Sequence, residues 1–302
     1  MEHEGIDLML RYKYVKDSDV TIEQVTSRPS VYFDQWMWCL LSDDSALRNK
    51  FIKIAGEANA TLMYSYATLI ELSLIEDGKQ IDAIHEVMDN IDYGFLDFNP
   101  SRVIEKEERL EILGGGAFYD LNPCCDLELI KNYFLNRMYP LKPFQLSAIL
   151  PKLMADVEYD KFRKMGKRFE YLTQIVLKAR NDPEALSRAK KRHSKNELFR
   201  KQMPYTKDIY RLAIDFVVVN ENMKMPSKEW IDLLHTVVPV AYLDFVMLDK
   251  KWCHFIRTTF PLSHPSIAQV FSQRDINTFL DKVANFKDLD NVFDKNNAQH
   301  QL

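Results

Sequence analysis

The chain has 302 residues, 46% of them hydrophobic, which is enough for a globular protein with an apolar core. It contains neither an apolar run near the roughly 20 residues of a membrane span nor a charged-then-apolar leader, so we expect a cytoplasmic protein without a membrane segment. The few cysteines fit neither a disulfide framework nor a zinc site, and the triple glycine 114–116 lacks the lysine and hydroxyl residue of a phosphate-binding loop. The formal net charge of -4 conceals a strong asymmetry, because basic residues are concentrated in one segment and the rest of the chain is acidic.

The first part of the chain alternates strand and helix signals. Residues 1–30 are charged and predict only a short ordered lead-in. The apolar run Ser30–Asp34 predicts a strand, and Gln35–Ala58 follows with apolar residues at helical spacing. A second apolar run, Ala60–Tyr66, leads into a helix that begins around Thr68. This alternation predicts an α/β fold with a central parallel sheet covered by helices.

The middle of the chain, residues 77–225, predicts a mostly helical insertion. Its first part is acidic and interrupted by Asn99-Pro100 and the triple glycine, and we expect it to be peripheral. The predicted helices are Ile81–Asp89, Arg102–Leu113, Leu127–Met138, Pro143–Glu158, Lys161–Ala179, Pro183–Lys201 and Tyr205–Val219.

Within this insertion, residues 160–211 form a basic block. Lysine and arginine neutralise phosphates, so a segment of one sign favours a polyanion partner, although a solvated helical face is the alternative. The candidate nucleic-acid-binding residues are Lys164, Lys167, Arg168, Lys190, Lys191, Arg192 and, later in the chain, Lys250. The interleaved aromatic residues Phe162, Phe169, Tyr171 and Phe199 offer base-stacking surfaces, although aromatic residues at helical spacing are more often core.

The last part of the chain, residues 226–290, returns to core elements. Pro226 and Ser227 predict the start of a helix with apolar residues at helical spacing. The run Val240–Leu248, rich in β-branched and aromatic residues, predicts a buried strand. A loop, a helix over Asp275–Phe286 and a polar tail, residues 291–302, complete the chain.

Acidic residues recur where these core elements begin or end. Asp34 and Asp249 follow predicted strands, while Glu71 and Asp232 lie on otherwise apolar helices. A buried carboxylate needs a partner or a metal, and the carboxyl ends of neighbouring parallel strands form sites. For any single aspartate a helix cap, a turn or an ion pair remains the alternative. Together, the four predict a site for Mg²⁺ or Mn²⁺ and metal-dependent phosphodiester hydrolysis.

His235 is an accessory candidate at this site. It lies one helical turn after Asp232 and could contact phosphate or move a proton. A buried histidine bonded to a backbone carbonyl is an equally good interpretation. Glu71 is stronger evidence, because the alternative requires a buried glutamate with an unidentified basic partner.

The segments Val31–Asp34 and Ser65–Leu72, Asp232 with His235, and Tyr242–Trp252 together resemble the spaced acidic signature of PIN-like nuclease domains. The resemblance implies a three-layer α/β/α sandwich split into residues 1–76 and 226–290. It also implies Mg²⁺- or Mn²⁺-dependent endonuclease activity, on RNA more than on DNA, in single-stranded or structured form. The catalytic and metal-binding residues it implies are Asp34, Glu71, Asp232 and Asp249, with Asp244 as an extra metal-binding acid found in larger members.

Stand-alone bacterial enzymes of this kind resemble toxins or phage-defence effectors. That resemblance implies a regulatory or antitoxin-like protein partner. A homo-oligomer is compatible with the same class. Two other classes stay open. One is a catalytically inactive PIN-like protein that binds nucleic acid or acts as a scaffold. The other is a helical interaction protein, which would require the predicted strands to be absent.

Overall fold

The computed structural model describes residues 10–15, 19–24, 26–112, 124–126, 129, 146–153, 157–195, 206–260 and 267–287. The predicted helix Leu127–Met138 and the polar tail 291–302 lie almost entirely outside this part of the chain. Within the predicted lead-in, β1 (Leu10–Val15) and β2 (Asp19–Gln24) form an antiparallel hairpin. The expectation of a plain lead-in was therefore incomplete, since both segments alternate apolar and polar residues over a strand length.

The central sheet confirms the predicted α/β class. Five parallel strands are ordered β5-β4-β3-β6-β7. They are β3 (Ser30–Phe33), β4 (Thr61–Ser65), β5 (Asp92–Leu96), β6 (Phe245–Met247) and β7 (Gln269–Phe271). Strands β5 and β7 were not predicted. Because β5 belongs to the sheet, the segment 77–225 contributes a core strand and is not solely an insertion.

Twelve α-helices are present in the described residues. They are α1 (Gln35–Asp43), α2 (Ser45–Glu57), α3 (Tyr66–Ser73), α4 (Gly78–Asn90), α5 (Pro100–Ile112), α6 (Leu150–Leu153), α7 (Val157–Asn181), α8 (Pro183–Lys195), α9 (Thr206–Val219), α10 (Ser227–Tyr242), α11 (Lys250–Thr259) and α12 (Ile276–Ala284). None of the helices that the structure describes combines the length and the apolar composition needed to cross a bilayer.

Helices cover both faces of the sheet. Alternate strand residues point to opposite faces, so Val31 and Phe33 contribute to one apolar core and Tyr32 to the other. Helices α1, α2, α4 and α12 pack on the first face, whereas α5, α9, α10 and α11 pack on the second, with α7 and α8 outside them. The basic helices α7 and α8 therefore add to the layer that covers the second face.

Helix α10 extends further than the sequence predicts. It continues through Pro239 to Tyr242, so the predicted strand Val240–Leu248 is shortened to β6. Residues 233–240 are all buried. A helix that is apolar on every side has no amphipathic period, and its sequence then resembles that of a buried strand.

The strand order places a crevice between β3 and β6. The chain runs from β3 outward through β4 to β5, and then returns beside β3 with β6 and continues outward to β7. The connections that leave β3 and β6 therefore diverge. Such a switch point opens a crevice at the carboxyl ends of the strands, where α/β proteins bind ligands.

Candidate active site

Asp34 and Asp249 lie at this switch point. Asp34 follows β3 and begins α1, where its carboxylate accepts a 2.7 Å hydrogen bond from the backbone N–H of Gln35. Asp249 follows β6 and begins α11, accepting 2.8 Å from the N–H of Trp252. The backbone N–H of Asp34 donates to Met247 of β6 at 3.1 Å. The structure therefore brings two of the predicted acids to adjacent strand ends.

Asp232 on α10 completes a coupled group with these two acids. Burial raises its pKa to about 7, and the negative charges of Asp34 and then Asp249 contribute to that increase. The cations His235 and Lys228 oppose it without reversing it. The carboxylates therefore lie near enough to repel one another.

Asp34 and Asp249 also have raised pKa values. Burial is the main cause at Asp34, which is 7% exposed, and the charges of Glu71 and Asp249 add to it while His235 and the Gln35 N–H oppose it. Burial likewise raises the pKa of Asp249 despite the hydrogen bonds of its helix cap. These carboxyls would become more stable in the ionised form if a cation entered the site.

Glu71 on α3 joins the site through a buried polar network. The Nε2 atom of His235 is 3.6 Å from a carboxylate oxygen of Glu71, an ion-pair distance longer than a hydrogen bond. The Nδ1 atom of His235 is hydrogen-bonded to the hydroxyl of Tyr32. That hydroxyl also lies 3.0 Å from the hydroxyls of both Ser65 and Thr68.

This network raises the pKa of His235. Burial by itself would lower the pKa, but Tyr32, Glu71 and Asp34 outweigh it and raise the value well above 6.5. His235 is 1% exposed. The ring is too buried to contact phosphate directly in this structure. The alternative of a buried histidine is confirmed, although the ring bonds to the hydroxyl of Tyr32 and not to a backbone carbonyl. A buried cation at this position holds the Glu71 carboxylate toward the site.

Two lysines border the acids. Lys228, in the first turn of α10, lowers the pKa values of Asp232 and Asp249 by its charge. Lys251, in the first turn of α11, contacts the carboxylate of Glu229, and its own pKa falls to about 8 because burial outweighs the attraction of Asp34. A helix cap, one of the alternatives for a single aspartate, is confirmed for Asp34 and Asp249, since each is the N-cap of the helix that follows it. Arg257 pairs with Asp275 at 3.0 Å and not with Asp249.

The donor set can be tested for its fit to a divalent ion. Within the described ranges, no three acidic, histidine or cysteine side chains lie close enough together to form a metal-binding group as they stand. The chemistry of the donors nevertheless fits Mg²⁺ or Mn²⁺, because Mg²⁺ is typically held by one or two carboxylates together with waters and substrate phosphates. Asp34 and Asp249 supply such a pair, with Asp232 and Glu71 beside them.

Asp244 is not part of this group, which corrects its assignment as a metal ligand. It precedes β6 and lies at the opposite end of the strand from Asp249. Its carboxylate pairs with Arg28 at 2.5 Å and accepts hydrogen bonds from the N–H and hydroxyl of Ser30 at 2.8 and 2.9 Å. With these partners it is a structural ion pair rather than a free acid.

Most of the predicted basic residues with described side chains are exposed. They are Lys167, Arg168, Lys190, Lys191 and Lys250, whereas the side chain of Lys164 lies outside the described residues. The predicted nucleic-acid-binding role of Arg192 is corrected by the structure. Its guanidinium makes a bidentate ion pair, at 2.6 and 2.7 Å, with the buried carboxylate of Asp215 on α9. Arg192 therefore attaches α8 to α9.

The aromatic residues of the basic block divide in the same way. Phe169 is buried in the core, as its helical spacing indicates, while Tyr171 is 66% exposed. The side chains of Phe162 and Phe199 lie outside the described residues. On α7, Lys167, Arg168 and Tyr171 lie within one turn of each other, so a single face presents both positive charge and an exposed ring.

Sequence reasoning did not assign Tyr32, Ser65 or Thr68 to the site. One sequence signal was present, because Ser65 and Thr68 are spaced as a capping residue and a residue one turn later. In the structure Ser65 caps α3, and its hydroxyl lies 2.9 Å from that of Thr68. Tyr32 gave no signal, because it lies inside an apolar strand and is fully buried. Comparison of the chain with protein-family models, with curated proteins and with solved structures gives no match.

Proposed function

We propose that the protein is a PIN-like, metal-dependent endoribonuclease that hydrolyses phosphodiester bonds of single-stranded or structured RNA. The observation that carries the proposal is the coupling of Asp34, Asp232 and Asp249 at the switch point between β3 and β6. All three carboxyls have raised pKa values, with burial as the main cause, and the charges of Asp34 and Asp249 add to the increase at Asp232. Keeping such groups ionised reduces the stability of the fold, and this arrangement is typical of a functional site.

Mg²⁺ or Mn²⁺ would be held by Asp34 and Asp249, with Asp232 and Glu71 contributing. When bound, the ion supplies charge neutralisation at the phosphate and a more acidic water as nucleophile. The protein's own residues prepare this site. Gln35 and Trp252 orient the two strand-end carboxylates through their backbone N–H groups, and His235 restrains Glu71. The exposed lysines and arginine of α7 and α8 would attract the RNA backbone.

The experiment is an RNA cleavage assay with purified protein, single-stranded RNA and Mn²⁺. We expect cleavage by the wild type and by Asp281→Asn, an exposed aspartate outside the site, and a loss of at least about a hundredfold for Asp34→Asn, of the order caused by removing a major charge-stabilising group. Equal cleavage by Asp34→Asn and wild type would refute the assigned site.

The second candidate is a catalytically inactive PIN-like protein that binds nucleic acid or acts as a scaffold. The exposed basic face of α7 favours it equally, because that face does not depend on the acids. Salt-dependent RNA binding without cleavage by any of the three proteins would favour this candidate. A toxin or phage-defence role, with a protein partner that restrains the nuclease, is the biological setting that we propose for the active enzyme.

A further inference from the structure

A groove lies between the end of α9 and the first turn of α11. It has a volume of about 600 Å³, within the usual range of small-ligand pockets. Its lining consists of Phe216 and Val219 from the end of α9, the turn Asn220–Met223, and Lys251 of α11. The groove is therefore bounded on one side by the active-site helix α11 and on the other by the segment that leads into α10.

The turn that forms one wall is held in place by Arg180 of α7. The guanidinium donates hydrogen bonds to the backbone oxygens of Val217, Asn220 and Met223 at 2.7, 2.9 and 2.8 Å. The side-chain amide of Asn220 donates to the oxygen of Phe216 at 2.7 Å. These bonds fix the carbonyls at the end of α9, so the groove is preformed, and they connect its wall directly to the basic helix.

Lys251 connects the groove to the acids. It lines the groove, follows Asp249 by two residues, and lies close enough to Asp34 for their charges to interact. A ligand in the groove would therefore be adjacent to the strand-end carboxylates, with a cationic side chain between them.

The groove offers the contacts that a nucleobase requires. Phe216 is partly exposed, and its ring is held against Phe255, His193 and Trp252 at centroid distances of 4.8, 5.9 and 6.1 Å. Asn222 is exposed, and its amide makes no hydrogen bond in the described part of the chain. An aromatic ring favours a flat base, and an unbonded amide can donate to and accept from a base edge.

We propose that this groove binds the base of the nucleotide next to the cleaved bond of single-stranded RNA and so gives the enzyme a base preference. This inference rests on the proposed nuclease function. Phe216 packs against the base and Asn222 hydrogen-bonds to its edge. Lys251, which contacts the carboxylate of Glu229 in the free protein, exchanges that contact for the adjoining phosphate. The basic face of α7 then binds the strand without distinguishing its sequence.

The test is to sequence the cleavage products of a randomised single-stranded RNA pool in Mn²⁺. We expect the wild type to favour one base at a position beside the cut, and Asn222→Ala to reduce that preference about threefold to tenfold, the loss of one hydrogen bond. Asn181→Ala, an exposed asparagine at the end of α7, is the matched control and should retain the preference. Phe216→Leu keeps an apolar residue and should also weaken the preference.

Identical base frequencies in wild type, Asn222→Ala and Phe216→Leu would overturn the proposal. If the wild type cleaves no RNA, the nuclease function fails and the groove is tested separately by calorimetric titration with AMP, GMP, CMP and UMP. Binding of one of them that is lost in Asn222→Ala but kept in Asn181→Ala supports the groove as a nucleotide site. Absence of binding by the folded wild type overturns it.

Discussion

Replacing Asp232 by asparagine should stabilise the metal-free protein at alkaline pH. The pKa of Asp232 is raised from 3.8 to about 7, so keeping it ionised at pH 8 costs at most about 4 kcal/mol. Because the side chain is partly exposed to solvent, which screens its charge, we expect a gain of about 1–3 kcal/mol. The sign follows from the raised pKa: the folded state binds the proton more tightly, and the wild type loses stability as the pH rises from about 4 to 7.

The assay is urea unfolding of wild type and Asp232→Asn in EDTA at pH 8 and pH 5. The stability difference should fall to less than half at about pH 5, where most Asp232 is protonated in the folded protein. Asp281→Asn, an exposed control, should match the wild type at both pH values. Adding Mn²⁺ at pH 8 should stabilise the wild type more than Asp232→Asn, because binding to the folded state stabilises it. A variant no more stable than wild type at pH 8 in EDTA would refute the charge coupling.

Substitutions at three further residues test other parts of the structure. Asp275→Asn weakens the capping box with Ser272, and we expect the free energy of unfolding to fall by about 1 kcal/mol at pH 7. Because the folded-state pKa of Asp275 is lowered, this loss should shrink as the pH falls below about 4, which urea unfolding at pH 7 and pH 3 measures. Arg192→Leu leaves the buried Asp215 without its partner and should cost about 3 kcal/mol in thermal or urea unfolding; a variant with unchanged stability and reduced RNA affinity would restore Arg192 to the RNA-binding face. Tyr171→Ala should weaken RNA binding about tenfold in a filter assay while Tyr171→Phe retains it, since stacking needs the ring alone; equal affinity of all three proteins would remove α7 from the interface.

The sheet could be predicted where its strands are buried and followed by a clear helix signal. Strands β3 and β4 have both features, and Asp34 was assigned with β3. Strand β7 has only three residues, too few to show a period, and β5 contains Gly94 and follows an acidic helix. Both are edge strands, which need less apolar sequence than central ones.

The two acids at the strand ends could be predicted from the sequence, whereas the hydrogen-bond partners of the other site residues could not. Acids at strand ends can be located from the sequence alone, because they follow an apolar run. The roles of Arg192 and His235 depend instead on partners distant in the chain, Asp215 for the first and Tyr32 for the second. A single sequence gives charge and spacing but not these pairings, so it predicts nucleic-acid binding for an arginine that pairs within the fold.

The ion pair at Asp244 has a consequence for the distance between the two strand-end acids. Besides pairing with Arg28, Asp244, the residue before β6, exchanges backbone and hydroxyl hydrogen bonds with Ser30, the first residue of β3. These bonds join the beginnings of the two strands. Both strands are short. If β6 slipped by one residue against β3, Asp249 would move by about 3.3 Å along the strand direction relative to Asp34, and the side chains of β6 would turn to the opposite face of the sheet. Asp244 therefore sets, from the far end of two short strands, the alignment that a reaction between their other ends would require.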